Sequence, residues 1–152
     1  MKKKIALMLV VFSLCLCTVG CSNIDRASAA DFSFSAGEMK SEVYRPGAYF
    51  AVHPQVTNVS DRTFRYVACQ HDCGLSAQLY CMTEEGEYTL DVWAVRTEDV
   101  CRRVKYIVEP GETLSDRFDV SVPHDAPLGA YHMRIWYNGL TGTVENVFTL
   151  IE

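Results

Sequence analysis

Phe118-Asp119-Val120-Ser121-Val122-Pro123-His124-Asp125-Ala126-Pro127-Leu128-Gly129-Ala130-Tyr131-His132-Met133-Arg134-Ile135-Trp136-Tyr137 is the stretch that decides the fold. Phe118, Val120 and Val122 share one face, and Tyr131, Met133 and Ile135 resume the alternation after a breaker-rich interval. A period of two belongs to a half-buried strand, and Pro123 to Gly129 cannot continue one, so the stretch reads strand, loop, strand.

The same grammar extends outward in both directions. Asn138-Gly139-Leu140-Thr141-Gly142 leads into a last strand at Thr143 to Ile151. Upstream, Leu114 to Val122 follows the turn pair Pro110-Gly111, and Arg102 to Val108 precedes it. Glu84-Glu85-Gly86-Glu87 reads as a hairpin turn between Leu75 to Met82 and Tyr88 to Val95. Leu75, Ala77, Leu79 and Cys81 lie on one side of the former. Thr63 to Cys69 alternates Phe64, Tyr66 and Ala68 against Arg65, Val67 and Cys69. Ala48 to Thr57 sets Phe50, Val52 and Val56 against Tyr49, His53 and Gln55, with Pro54 marking an edge strand or a bulge. No run of apolar residues spaced three and four apart suggests a helix. Strands without helical crossovers pair antiparallel, so the expectation is an all-β, antiparallel, immunoglobulin-like β-sandwich of about seven to nine strands over residues 39–152.

The first residues belong to another layer of information. Lys2, Lys3 and Lys4 precede an uncharged stretch from Ile5 to Gly20, the pattern of a secretory signal over residues 1–20. That stretch falls short of the about 20 apolar residues of a membrane-spanning helix. Thr18-Val19-Gly20-Cys21 resembles the bacterial lipobox, which implies cleavage before Cys21 and acylation of its thiol. Ala27-Ser28-Ala29 offers a rival small-x-small site, with release into the periplasm or medium. Residues 21–38, rich in Ser and Ala, read as a tether.

Composition narrows the function. Of 152 residues, 49% are apolar, which is enough to bury a core and excludes intrinsic disorder. Loss of Lys2, Lys3 and Lys4 takes the formal charge from −5 to −8, which argues against a nucleic-acid partner and against electrostatic docking on anionic lipid. Cys15 and Cys17 leave with the signal. Cys69, Cys73, Cys81 and Cys101 remain, an even number that reads as two disulfides in an exported domain. Three pairings are open; Cys69 with Cys101 and Cys73 with Cys81 is preferred, because the second closes a local excursion while the first ties distant strands.

Glu109-Pro110-Gly111-Glu112, Phe118-x-Val120-x-Val122-Pro123, Ala126-Pro127-Leu128-Gly129-x-Tyr131 and Asn58-x-Ser60 together resemble the immunoglobulin-like and fibronectin-like domains of bacterial secreted proteins. The outline also resembles, more distantly, the bacterial intracellular proteinase inhibitor family. That likeness implies fold first and protease inhibition second, with no reactive-loop residue matched.

Candidate chemistry is sparse. Cys69-Gln70-His71-Asp72-Cys73 brings two thiols and an imidazole together, a set suited to copper(I) or zinc and similar in its C-x3-C pair to the Sco copper-chaperone family. That family builds its pair on an α/β fold, whereas this chain has no βαβ pattern, so disulfide formation is the preferred reading. His53, His71, His124 and His132 show no close metal spacing, and no metal or cofactor is expected. Glu84/Glu85 and Glu98/Asp99 fall at turns, and no nucleophile elbow is present. Trp93, Trp136 and the tyrosines lie on strands, where packing competes with an exposed aromatic face that would grip a glycan or protein. The expectation is a non-catalytic, lipid-anchored binding module for a protein or envelope polymer. Its contacts would come from loops containing His71, Asp72, Gly74, His124 and Asp125 at one end of the sandwich. A metal or redox protein using Cys69, His71 and Cys73, and a structural accessory subunit, are the alternatives.

Overall fold

Where the sequence alternates, the chain buries every second side chain. Along β12 (Gly129–Tyr137), Tyr131, Met133, Ile135 and Tyr137 point inward, and His132, Arg134 and Trp136 point outward. A computed structural model describes residues 27–70, 74–94 and 101–152. Almost all regular structure in it is strand.

One layer is assembled from β1 (Phe32–Ser35), β3 (Tyr49–Val52), β4 (Gln55–Asn58), β8 (Val92–Ala94), β10 (Thr113–Ser115) and β11 (Phe118–Ser121). It hydrogen-bonds in two blocks, β1-β4-β10 and β3-β11-β8. The blocks share two interrupted strands. Proline has no N–H to donate, and Pro54 separates β3 from β4; opposite it, Asp116 and Arg117 separate β10 from β11, and the Asp116 N–H reaches the Pro54 carbonyl at 3.4 Å. The interruption expected at Pro54 therefore exists, and the run is an edge on one side of it only: β3 pairs with β11 alone, whereas β4 is paired on both sides.

The other layer has the order β2-β13-β12-β6-β7, with β2 (Val43–Tyr44), β6 (Leu75–Thr83), β7 (Gly86–Leu90) and β13 (Leu140–Leu150). Among the described residues, β2 and β13 are the one parallel pair of this layer. A separate antiparallel ribbon joins β5 (Phe64–Cys69) to β9 (Arg103–Val108). The Cys69–Cys101 disulfide closes it, with Cα atoms 5.1 Å apart. This bond matches the expected long-range pairing, and closing the loop between these residues is worth about 4 kcal/mol in the chain-entropy description.

One sheet of first, second, fifth and fourth strand runs, facing another that carries the third, sixth and seventh, is the immunoglobulin-like arrangement. Tyr131 adds a tyrosine corner: near the start of β12, its hydroxyl donates to the Pro127 carbonyl at 3.0 Å. Burial pushes its phenol well above the ordinary range, with the neighbouring Cys81 thiol adding to the effect. The core lies between the layers. Phe50, Val52, Val56, Phe118 and Val120 come from the first, and Leu79, Tyr131, Met133, Ile135, Phe148 and Leu150 from the second. Phe50 meets Phe148 edge-on at 5.1 Å, the geometry that the ring quadrupoles favour. Asn58 is the fully buried polar residue of this interior. Its amide donates to the Arg62 and Val108 carbonyls, and its oxygen accepts from the Ser60 N–H and hydroxyl.

Two expectations need correction. The sandwich does not begin at residue 39: β1 pairs with β4, Phe32 is buried, and Phe34 packs so tightly on Gly142 that a Cβ added there would overlap its ring. The expected tether therefore loses at least Phe32 to Ser35 to the fold. Cys73 does not bridge to Cys81, whose thiol is free and buried. Because β6 is extended, Cys81 stands about 20 Å along the strand from Leu75, whereas a bridge needs Cα atoms within about 7 Å. Parity turns Cys81 into the core beside Leu79. Cys73 itself lies outside the described residues, as do Cys21, His71 and Asp72.

Candidate binding face

Of the loop residues expected to cooperate, the described ones are held apart. Gly74 precedes β6, adopts φ +75°, and accepts the Asn138 N–H at 3.3 Å beside the turn that leaves β12. His124 and Asp125 lie in the connection that leads into β12, and the His124 ring packs against Gly47. β6 and β12 are antiparallel, so Gly74 and the His124-Asp125 pair sit at opposite ends of β12, roughly 27 Å apart at strand rise. Gly74 does not share a site with His124 and Asp125. Cys69 is committed to its disulfide and offers no thiolate, which removes the expected ligand of a Cys69, His71 and Cys73 metal site in this state. Among the described residues, no group of three His, Cys, Asp or Glu is arranged to hold a metal ion.

The structure brings other residues together. In β3-β11-β8 the register sets Ala51 opposite Asp119 and Asp119 opposite Trp93, with Tyr49 opposite Ser121. Strand parity sends Phe50, Val52, Phe118 and Val120 inward, so Tyr49, Asp119 and Trp93 share the outer surface. Tyr49 is 63% exposed and Trp93 44%, and their ring centroids are 6.4 Å apart at an interplanar angle of 45°. Among the described residues, these are the two aromatic side chains in the exposed large hydrophobics, and they are neighbours.

The Tyr49 ring is tethered. Its hydroxyl donates to Asp119 Oδ2 at 2.6 Å, and Arg117 donates to Asp119 Oδ1 from Nη2 at 3.1 Å and Nε at 3.3 Å. The Tyr49 hydrogen bond, then Arg117, hold the Asp119 carboxyl below its ordinary range despite partial desolvation. The same hydrogen bond raises the Tyr49 phenol. An open groove of about 680 Å³ runs from Tyr49 and Ala51 past Arg117 and His53 to Lys40 and Ser41. On the other side of the segment 36–42 lies a cleft of about 970 Å³ with Glu38, Glu42, His53 and Glu145 on its walls.

The outer face of β12 is organised differently. Arg134 donates to Gln78 at 2.9 Å and to Glu87 at 2.8 Å, and its guanidinium lies 4.6 Å from the Tyr80 ring centroid and 5.9 Å from that of Trp136. His132 Nδ1 lies against the Glu145 carboxylate, beside the Asn146 backbone. A bulge at this point sets Glu145, Asn146 and Val147 against the single residue His132.

Tyr49 carried a sequence signal, since it falls on the polar side of an alternating strand. Its pairing with Trp93 did not, because three non-consecutive strands create it. The fold and this surface together define a class, an immunoglobulin-like sandwich with an aromatic patch on a sheet face.

No protein-family model matches the chain, and no curated protein does. Among solved structures, it is similar to a β-glucosidase from Listeria innocua (11% identity, TM-score 0.41), covering 80% of this chain and 16% of that one. It is also similar to the Lin-41 filamin domain (12%, 0.39), covering 76% of this chain and 90% of that one. A third is Spo0M, a sporulation control protein from Bacillus subtilis (16%, 0.37), covering 88% and 51%. The chain thus spans about a sixth of the glucosidase length. Among the described residues, no helix is long and apolar enough to cross a membrane.

Proposed function

We propose that this chain is an exported, lipid-anchored, non-catalytic binding module of a bacterial cell envelope, which recognises a protein or an envelope polymer through the Tyr49 and Trp93 face. The observation that carries the reading is the placement of two exposed aromatic rings side by side, one of them tethered by Asp119. Apolar surface of this kind is costly in water, and a contiguous patch marks a site of contact. Export is supported by the Lys2 to Gly20 pattern and by a disulfide, which persists in an oxidising compartment. Acylation at Cys21 supplies the anchor, with cleavage near Ala29 as the alternative.

Two measurements test this. Mass spectrometry of the mature N-terminus should find acylated Cys21; a mature chain beginning at Ala30 would remove the anchor from the reading. Full-length protein mixed with washed envelope fragments should co-sediment with them, and the double substitution Tyr49→Ala with Trp93→Ala should leave it in the supernatant. Equal sedimentation of both proteins would remove the aromatic face from the reading.

A further inference from the structure

From the geometry we infer that the ligand of the Tyr49 and Trp93 face is a neutral polysaccharide, stacked on the two rings and hydrogen-bonded along the groove that starts at Tyr49. The inference rests on the binding role proposed above and narrows it to one ligand class.

Preorganisation comes first. An exposed tyrosine ordinarily loses rotamer freedom on binding, but the Tyr49 hydroxyl is already fixed on Asp119, and Asp119 is fixed by Arg117. The Tyr49 ring is thus held ready, and Trp93 stands beside it, opposite Asp119 in the register. A sugar ring presents an apolar C–H surface edged by hydroxyl groups, which is the complement of an aromatic ring bordered by hydrogen-bonding side chains. Here that border is Arg117, His53 and Ser41, all lining the groove that begins at Tyr49.

Charge selects among ligands. Glu38, Lys40 and Arg117 line the groove and Arg117 pairs with Asp119, so the formal charges of groove and platform cancel, although the chain as a whole is at −5. A polyphosphate or an anionic membrane would call for surplus Lys and Arg. Area selects again. The two rings expose roughly 200 Å², whereas a stable protein interface covers about 800 Å² on each partner around an apolar centre. The groove volume of about 680 Å³ is within the range of built ligand sites, and its open sides admit a chain passing through.

Affinity electrophoresis in native gels tests the inference, with dextran, soluble starch, laminarin, xylan and galactomannan as dissolved neutral probes and alginate as the acidic comparator. At least one neutral polysaccharide should retard the full-length protein. Tyr49→Ala or Trp93→Ala should each weaken retention about tenfold or more, and Tyr49→Phe, which keeps the ring and loses the tether, should fall between. Circular dichroism establishes that each variant is folded. As a second readout, Trp136→Phe leaves Trp93 as the remaining tryptophan, and its fluorescence should respond to the retained polysaccharide. If no neutral probe retards the protein while envelope sedimentation still depends on Tyr49 and Trp93, the ligand is a protein and this inference is overturned with the binding role intact. Retardation by alginate alone overturns it as well. If sedimentation is also indifferent to the two rings, the binding role falls with it.

Discussion

The two outer faces of the sandwich carry similar side chains and use them in opposite ways. On the β12 side, Arg134 is held by Glu87 and Gln78 and lies over Tyr80, so cation, carboxylate and ring satisfy one another. On the β11 side, the cation and carboxylate pair with each other and with a phenol, and the rings of Tyr49 and Trp93 are left to solvent. The first arrangement contributes to stability. In the second, the polar groups fix a ring in place and leave its apolar surface unmatched, which is what a binding surface needs and a stabilising one does not.

The largest expected effect breaks the comparison at the level of the layers. Phe34 of β1 rests on Gly142 of β13, so Gly142→Ala forces the ring outward. Overpacking of this kind costs about 1 to 3 kcal/mol, and urea denaturation should show it. Hydrogen exchange should find the loosening in β1 and its partner β4, with the β12 ladder to β6 unchanged. Uniform loosening would mean that the layers do not respond separately.

A smaller effect separates the faces themselves. Arg134→Ala removes a cation over a ring and an exposed ion pair, and should lower stability by about 1 kcal/mol while leaving envelope binding intact. Trp93→Ala should do the reverse, weakening binding about tenfold or more with no shift in the urea midpoint. If both variants change the same property, the division of labour between the faces is wrong.

The layers themselves were legible in the sequence, because parity alone assigns Phe50, Val52 and Val56 to one interior surface and Tyr131, Met133 and Ile135 to another. β1 was hidden by its composition: in Phe32-Ser33-Phe34-Ser35 only two apolar residues alternate, within a Ser- and Ala-rich segment that resembles a linker. Cys81 shows how a local argument loses to strand geometry. Its spacing from Cys73 suggested a short bridge, yet its parity with Leu75 and Leu79 already pointed the thiol into the core. The wide separation of Gly74 from His124 depends on strand direction, and the meeting of Tyr49 with Trp93 depends on sheet order. Neither quantity is local in sequence, so neither is readable from spacing.

The smallest expected effect distinguishes the faces by pH. Asp119 and Glu87 both have carboxyl groups held below their ordinary range, the first by Tyr49 and the second by Arg134. Between the folded and unfolded pKa the unfolded chain binds more protons, so each group's contribution is complete above the unfolded value, near 4, and is lost as pH falls through the folded one. Tyr49 adds an alkaline counterpart confined to the β11 face. Its pKa is raised, so its contribution is complete below about 10 and is lost as pH climbs through the folded value. Urea midpoints measured from pH 6 down to pH 3 should therefore fall less steeply in both Asp119→Asn and Glu87→Gln than in the native chain. Tyr49→Phe should flatten the alkaline limb and Asp119→Asn should weaken it, while Glu87→Gln should leave it unchanged. In an absorbance titration, Tyr49→Phe should also lack one late-ionising tyrosine, while those at Tyr88 and Tyr131, which burial keeps protonated to higher pH, persist. An alkaline limb unchanged by Tyr49→Phe would mean that the hydroxyl is not held by Asp119 in solution, and the ring would lose the preorganisation that sets this face apart.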